Sequence, residues 1–135
     1  MIEDDEMRPG GRPWLAVAAA SGLLAVAFGA VASHALGGLP AERLAWIDTA
    51  LRYHMLHSVA LLGVAILAER RPSRLLAAAG VGFLAGLLLF SGLLYAMGLG
   101  APRWLGAVVP LGGLSYMAGW AALLVFALRR RRGGR

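Results

Sequence analysis

Four apolar runs, each long enough to cross a bilayer, fill almost all of this chain of 135 residues; they lie at about 14–35, 46–68, 75–99 and 104–128. At 1.5 Å per residue, a helix of about 22 residues is roughly 33 Å long, which matches a hydrocarbon core of roughly 30 Å. In that core each segment must satisfy its own backbone N–H and C=O groups, so runs of this kind can only be helices. The expected fold is therefore all-α, an integral membrane four-helix bundle formed as one domain over residues 14–128. A hydrophobic content of 59% agrees, because soluble domains lie nearer half apolar.

The segments between the runs carry the expected breakers. Gly37, Gly38 and Pro40 follow the first run, Glu69 to Arg74 form a short turn, and Gly98 to Arg103 form another. Between Leu39 and Asp48, apolar Leu44, Trp46 and Ile47 mix with Glu42 and Arg43, which predicts a short interfacial helix before the second span. Pro110, Gly112 and Gly113 are the helix-breaking residues of the fourth run. Pro110 either kinks one long helix or starts a helix of about 19 residues after a lead-in. Small residues recur at Ala18, Gly22, Ala25, Gly29 and Ala32, and again at Gly82 and Gly86. Such stripes let another backbone approach closely, within the chain or in a homo-oligomer or membrane-protein partner. Ala30-Val31-Ala32 has the form of a signal-peptide cleavage site, but the first run exceeds the usual core of about 7–15 residues and is read as a span.

Charge sits at the ends of the runs. All 13 basic residues are Arg, and the net charge is +6. With four spans, Arg8, Arg12, Arg70, Arg71, Arg74, Arg129, Arg130, Arg131, Arg132 and Arg135 share one side of the membrane. Only Arg43, Arg52 and Arg103 lie toward the other, so both termini are expected in the cytoplasm. Residues 1–13 read as a disordered polar tail. Residues 129–135 read as an Arg-rich tail in which Arg129, Arg130, Arg131 and Arg132 touch anionic lipid. Basic residues placed this way flank membrane helices, so no nucleic acid is expected as a partner. The chain has no cysteine, which excludes disulfides, thiolate ligands and a cysteine nucleophile.

Against this background the segment Asp48 to Ser58 stands out, with an acid, an arginine, a tyrosine and two histidines at the head of the second span. Ionisable side chains at membrane depth are costly and usually face a bundle interior or a wet cavity. Hairpin topology brings His34, Asp48, Arg52, Tyr53, His57, Ser91, Tyr95 and Ser115 to one level, which predicts a single polar cluster in the outer half of the bundle. At about 100° per residue, Asp48, Thr49, Arg52, Tyr53 and His57 share a half-turn arc, and Asp48 can pair with Arg52 at i,i+4. His54 and Ser58 fall beyond the edge of that arc. The histidines lack ligand spacing: His54 and His57 are i,i+3, His34 is on another helix, and the nearby acids are Asp48 and Glu42. No metal or cofactor is therefore expected. Met55, Met97 and Met117 are scattered and read as core filler. No nucleophile elbow or phosphate loop is present, and no catalytic residue is assigned.

The same residues carry a resemblance. Gly29 to Leu36, Thr49 to His57, Leu89 to Tyr95, Val109 to Gly113 and Gly119-Trp120 resemble, in order, signature stretches of the YgdD-like family. The resemblance implies a small four-helix protein of the bacterial inner membrane, with related mitochondrial proteins and no assigned activity. It places His34, Arg52, Tyr53, His57, Ser91, Tyr95, Pro110, Gly112, Gly113 and Trp120 at motif positions. The chain departs from the pattern at Val31, Ala32 and Ser33, and it has His54 where the family more often shows glutamine, which makes His54 a weak candidate for a shared role. The expected function is a non-enzymatic membrane protein whose polar cluster organises the helices and is available to a lipid headgroup, a small solute or a partner. The alternatives are a small transporter or proton conductor using Arg52 and His57, and a haem- or quinone-associated electron carrier using His34 and His57.

Overall fold

The computed structural model describes residues 10–129. The elements in order are α1 Arg12–Ala35, α2 Ala41–Arg70, α3 Arg74–Gly86, a π-helical stretch Leu87–Gly92, α4 Leu93–Gly98, a 3-10 turn Arg103–Ala107, and α5 Val109–Leu128. α3, the π stretch and α4 run on as one rod, giving four helices long and apolar enough to cross a membrane. Among the described residues there is no strand.

Local chemistry sets most of the ends. Pro40 precedes α2 in an extended conformation, and Ser73 caps α3 by accepting from the Leu75 N–H at 3.2 Å. No interfacial helix stands apart from the second span. No breaker lies between Pro40 and Arg70 except Gly63, so α2 runs unbroken for 30 residues, about 45 Å of helix. Pro110 falls in the first turn of α5, where its missing N–H has no intrahelical partner to lose. It therefore starts a helix of 20 residues after a 3-10 lead-in and kinks nothing. Of the segment 1–13 expected as a tail, residues 10–13 are described: α1 begins at Arg12, and Gly11 packs onto α2. A Cβ at Gly11 would lie 2.7 Å from the Ala65 carbonyl oxygen. Residues 1–9 and the arginines at 130, 131, 132 and 135 lie outside the described residues.

The pairings follow from where backbones touch. α1 runs antiparallel to α2, with Gly10 against Ala68 and Pro72 at one end and Gly29 against Leu51 at the other. α3 runs antiparallel to α5: a Cβ on Gly82 would lie 2.9 Å from Gly119 Cα, and one on Gly86 would collide with the Tyr116 ring. The Gly82/Gly86 face is thus used within the chain. α2 and the rod formed by α3 and α4 lie at the centre, joined by Ile47 against Gly98 and His57 against Phe83. α1 and α5 flank them. The buried face of α1 is Ala18, Ser21 and Ala25, and a Cβ at Gly22 would meet open space. One apolar core gathers Leu61, Val64, Leu76 and Phe83, and a second gathers Ile47, Ala50, Leu94 and Tyr95. The outer faces are also apolar, with Leu23, Leu24, Val59, Ile66, Leu88, Leu124 and Leu128 exposed. Apolar surface this continuous suits hydrocarbon as its solvent.

Candidate functional site

The polar side chains of α2 leave the helix in two directions. His54 faces α1 and α4. Its Nδ1 lies 3.1 Å from the Tyr95 hydroxyl and its Nε2 3.2 Å from Ser21 Oγ. Ser21 Oγ is 2.6 Å from Ser58 Oγ, and Ser58 donates at 2.8 Å to the carbonyl of His54. All directions but that of the Tyr95 bond follow from the partners. The Ser58 proton is committed to a carbonyl, so Ser21 donates to Ser58. Ser21 then accepts from His54, which must carry a proton on Nε2; in the neutral ring Nδ1 takes the Tyr95 O–H. One loop of hydrogen bonds through Ser21, Ser58 and His54 ties α1 to α2, and the Tyr95 bond adds α4. Phe28 of α1 stacks on Tyr95 with ring centroids 4.4 Å apart.

His57 faces α3 and α5 and is bound in the opposite sense. Its Nδ1 donates to the Tyr53 carbonyl at 2.7 Å, the i−4 group of its own helix. Its Nε2 accepts from the Trp120 indole N–H at 3.1 Å. A carbonyl only accepts and an indole only donates, so His57 is neutral with its proton on Nδ1. The Tyr116 ring lies against the imidazole, with centroids 3.6 Å apart and planes at 13°. Tyr116 also reaches Ser91, 3.0 Å away in the π stretch. Phe83 completes the packing 5.5 Å from His57 and edge-on to Trp120 at 5.1 Å. The π stretch itself lies against α5, where Gly112 lets the backbone of Leu89 and Phe90 come close enough that a Cβ would clash. Among the described residues no buried side-chain nitrogen or oxygen lacks a partner.

Beside His57 a cleft of about 520 Å³ opens between α2 and α5. Its walls are Tyr53, Leu56, Phe90, Leu114, Met117 and Trp120, with His57 and Tyr116 at its base. Leu56, Leu114 and Met117 are exposed, so the cleft opens sideways, toward the space that lipid occupies. Hollows of about 390 Å³ beside Trp14 and about 270 Å³ beside Ser58 are smaller.

The single cluster expected from hairpin topology resolves into separate parts. Tyr53, His57 and Ser91 come together around Tyr116, while Tyr95 joins His54. Asp48 and Arg52 do pair, at 2.9 Å, but their side chains are 57% and 74% exposed on the surface of the bundle. Ser115 donates to the Leu111 carbonyl of its own helix at 3.0 Å. His34 sits exposed at the end of α1, away from both networks. The polar interior also reaches deeper than the outer half, because Ser21 and Ser58 lie near the middle of α1 and α2.

His54, Ser21 and Ser58 were the residues that pattern reading undervalued. The arc argument assumed one buried face on the second span. As the central helix, α2 is buried on two sides, and His54 remains inside though it is about 60° from His57. The usable signals were Ser58 at i+4 from His54 and Ser21 at i+3 from Ala18.

Residues 28–113 match a family model described as "Protein of unknown function (DUF423)". The chain is similar to the UPF0382 inner membrane protein YgdD of Escherichia coli (strain K12), 41% identical over 89% of this chain and 92% of the relative. It is 40% identical to a UPF0382 membrane protein of Haemophilus influenzae, over 82% of this chain and 89% of the relative. It is 36% identical to the UPF0382 membrane protein YwdK of Bacillus subtilis (strain 168), over 86% and 96%. No solved structure matches this chain.

Proposed function

This chain belongs to the DUF423 family of inner-membrane proteins, and from that premise we propose that it is a non-enzymatic lipid-binding protein. Its interior polar groups hold the bundle together, and its lateral cleft holds a bilayer lipid. One observation carries the reading: among the described residues every buried side-chain nitrogen and oxygen has a partner within the bundle, while about 520 Å³ of aromatic-walled space between α2 and α5 stays open to the bilayer. Sites for small apolar ligands have this character, concave and mostly apolar with a few polar groups at the edge. Ten arginines on one side against three on the other support both chain ends in the cytoplasm.

The transport and electron-carrier alternatives draw less support from the same geometry. Arg52 lies on the outer surface, and both ring nitrogens of His57 are engaged. The hydrogen bonds through His54 close on themselves and lead to neither end of the bundle. A haem iron would need the Nε2 lone pair that Trp120 now occupies.

Native mass spectrometry of the protein released from membranes tests the reading. The expected result is a retained lipid adduct that is reduced when the cleft is filled by Met117→Trp, a change at an exposed position. Release of bare protein under conditions that preserve the fold would overturn it.

A further inference from the structure

Four polar side chains border the cleft, and three of them are engaged inside the bundle. His57 uses both ring nitrogens, Trp120 gives its N–H to His57, and Tyr116 bonds Ser91. The fourth is Tyr53. It joins these networks through its backbone carbonyl, and its hydroxyl has no hydrogen-bond partner among the described residues. Its ring packs on Phe90 with centroids 4.5 Å apart and is 42% exposed, as part of the cleft wall.

The cleft also has a direction. On α5 its wall runs from Pro110 to Trp120, about 15 Å along the helix axis. On α2 the wall residue nearest the helix N-terminus is Tyr53. Counting roughly 20 residues of membrane depth back from Glu69 places the hydrocarbon boundary near Thr49. Tyr53 lies one turn, about 6 Å, inside that level. His57 and Trp120, bonded to each other, lie a further turn in. Water is scarce at such depth, and an unmet hydroxyl there is costly. The ester carbonyls of a glycerolipid lie at this same edge of the hydrocarbon, between headgroup and chains.

We propose that the cleft takes a glycerolipid with ester-linked chains: Tyr53 donates its O–H to an ester carbonyl, and the acyl chain runs along α5 toward Trp120. The proposal rests on the lipid-binding reading above and adds the linkage class and the residue that reads it. A phenol is a neutral donor, so it answers to the carbonyl and not to headgroup charge. An ether-linked lipid has the same chains and headgroup but no carbonyl to accept the bond.

The test uses the full-length protein in lipid nanodiscs containing equal amounts of diester and diether phosphatidylethanolamine of one chain length, with retained lipid read by native mass spectrometry. The diester lipid is expected to be retained about three- to tenfold over the diether, the ratio one neutral hydrogen bond supplies. Tyr53→Phe is expected to remove that preference, leave retention of the diether lipid unchanged and leave the melting temperature unchanged, because the hydroxyl bonds nothing within the bundle. Equal retention of the two lipids by the native chain overturns the proposal, and that comparison needs no variant. A preference that survives Tyr53→Phe overturns it as well. A further arm adds an isoprenoid quinone, whose ring carbonyl also accepts; quinone retained in place of the diester lipid overturns the glycerolipid assignment. In each case reduced retention in Met117→Trp would leave the cleft reading standing. Retention that Met117→Trp leaves unchanged would instead overturn the cleft.

Discussion

His54 and His57, three residues apart on one helix, hold their protons on opposite ring nitrogens. His54 is protonated on Nε2, because Ser21 has only an acceptor left to offer. His57 is protonated on Nδ1, because the Tyr53 carbonyl receives it. His57 is neutral because its other nitrogen faces an indole, which only donates; a neutral His54 takes the Tyr95 O–H on Nδ1. In hydrocarbon an uncompensated charge at either ring would be costly, and the assigned tautomers leave none. Nitrogen-15 histidine spectra of the His34→Gln protein in bilayers, which keeps only His54 and His57, are expected to show one neutral ring of each tautomer, with His54→Gln removing the Nε2–H signal. Two rings of the same tautomer would contradict the hydrogen-bond directions.

The loop through His54 needs a group that both donates and accepts, and a glutamine side chain meets that need. His54→Gln is expected to melt within a few degrees of the native protein in detergent. His54→Leu leaves Tyr95 and Ser21 without their partner and is expected to cost about 2–3 kcal/mol. Combining His54→Leu with Ser21→Ala should cost less than the two changes summed, because both remove the same bond. Full additivity would mean that the contact contributes little.

On the other side of α2, Trp120→Phe keeps the ring against Phe83 but deletes the N–H that His57 accepts. A loss of about 1–3 kcal/mol in thermal unfolding is expected, the usual cost of an acceptor left buried and unpaired. Ser115→Ala is expected to be nearly neutral, because the hydroxyl bonds only to its own helix. The reverse ranking would place the stabilising contact elsewhere on α5.

Gly112→Ala forces a methyl into the backbone of Leu89 and Phe90, atoms that move only if the helices separate. Destabilisation of about 1–3 kcal/mol is expected from this overpacking. Gly22→Ala and Gly63→Ala meet nothing within 4 Å and are expected to be neutral, or to gain up to about 1 kcal/mol of helix propensity. Melting temperatures of the three variants in one detergent rank them directly.

If both chain ends lie in the cytoplasm, reporter tags fused at residue 1 and at residue 135 should both be inaccessible from outside intact cells. A tag exposed at either end would overturn the orientation read from the arginines, though not the helix pairing.

The sequence alone determined that four helices cross a membrane, because apolar length and the backbone's need for internal hydrogen bonds leave no other solution. The likeness of Thr49–His57, Leu89–Tyr95 and Val109–Gly113 to a family pattern was equally plain in one dimension. Depth was partly legible too: loops place Tyr53, His57, Ser91 and Tyr95 in broadly the same region. Which way each residue faces was not legible, because it depends on how many neighbours a helix has. α2 has neighbours on two sides, so His54 and His57 both point inward at 60° to each other, while Asp48 and Arg52 turn to the surface. Only the packed bundle decides that, because burial belongs to the arrangement of helices around a residue and not to the residue or its spacing.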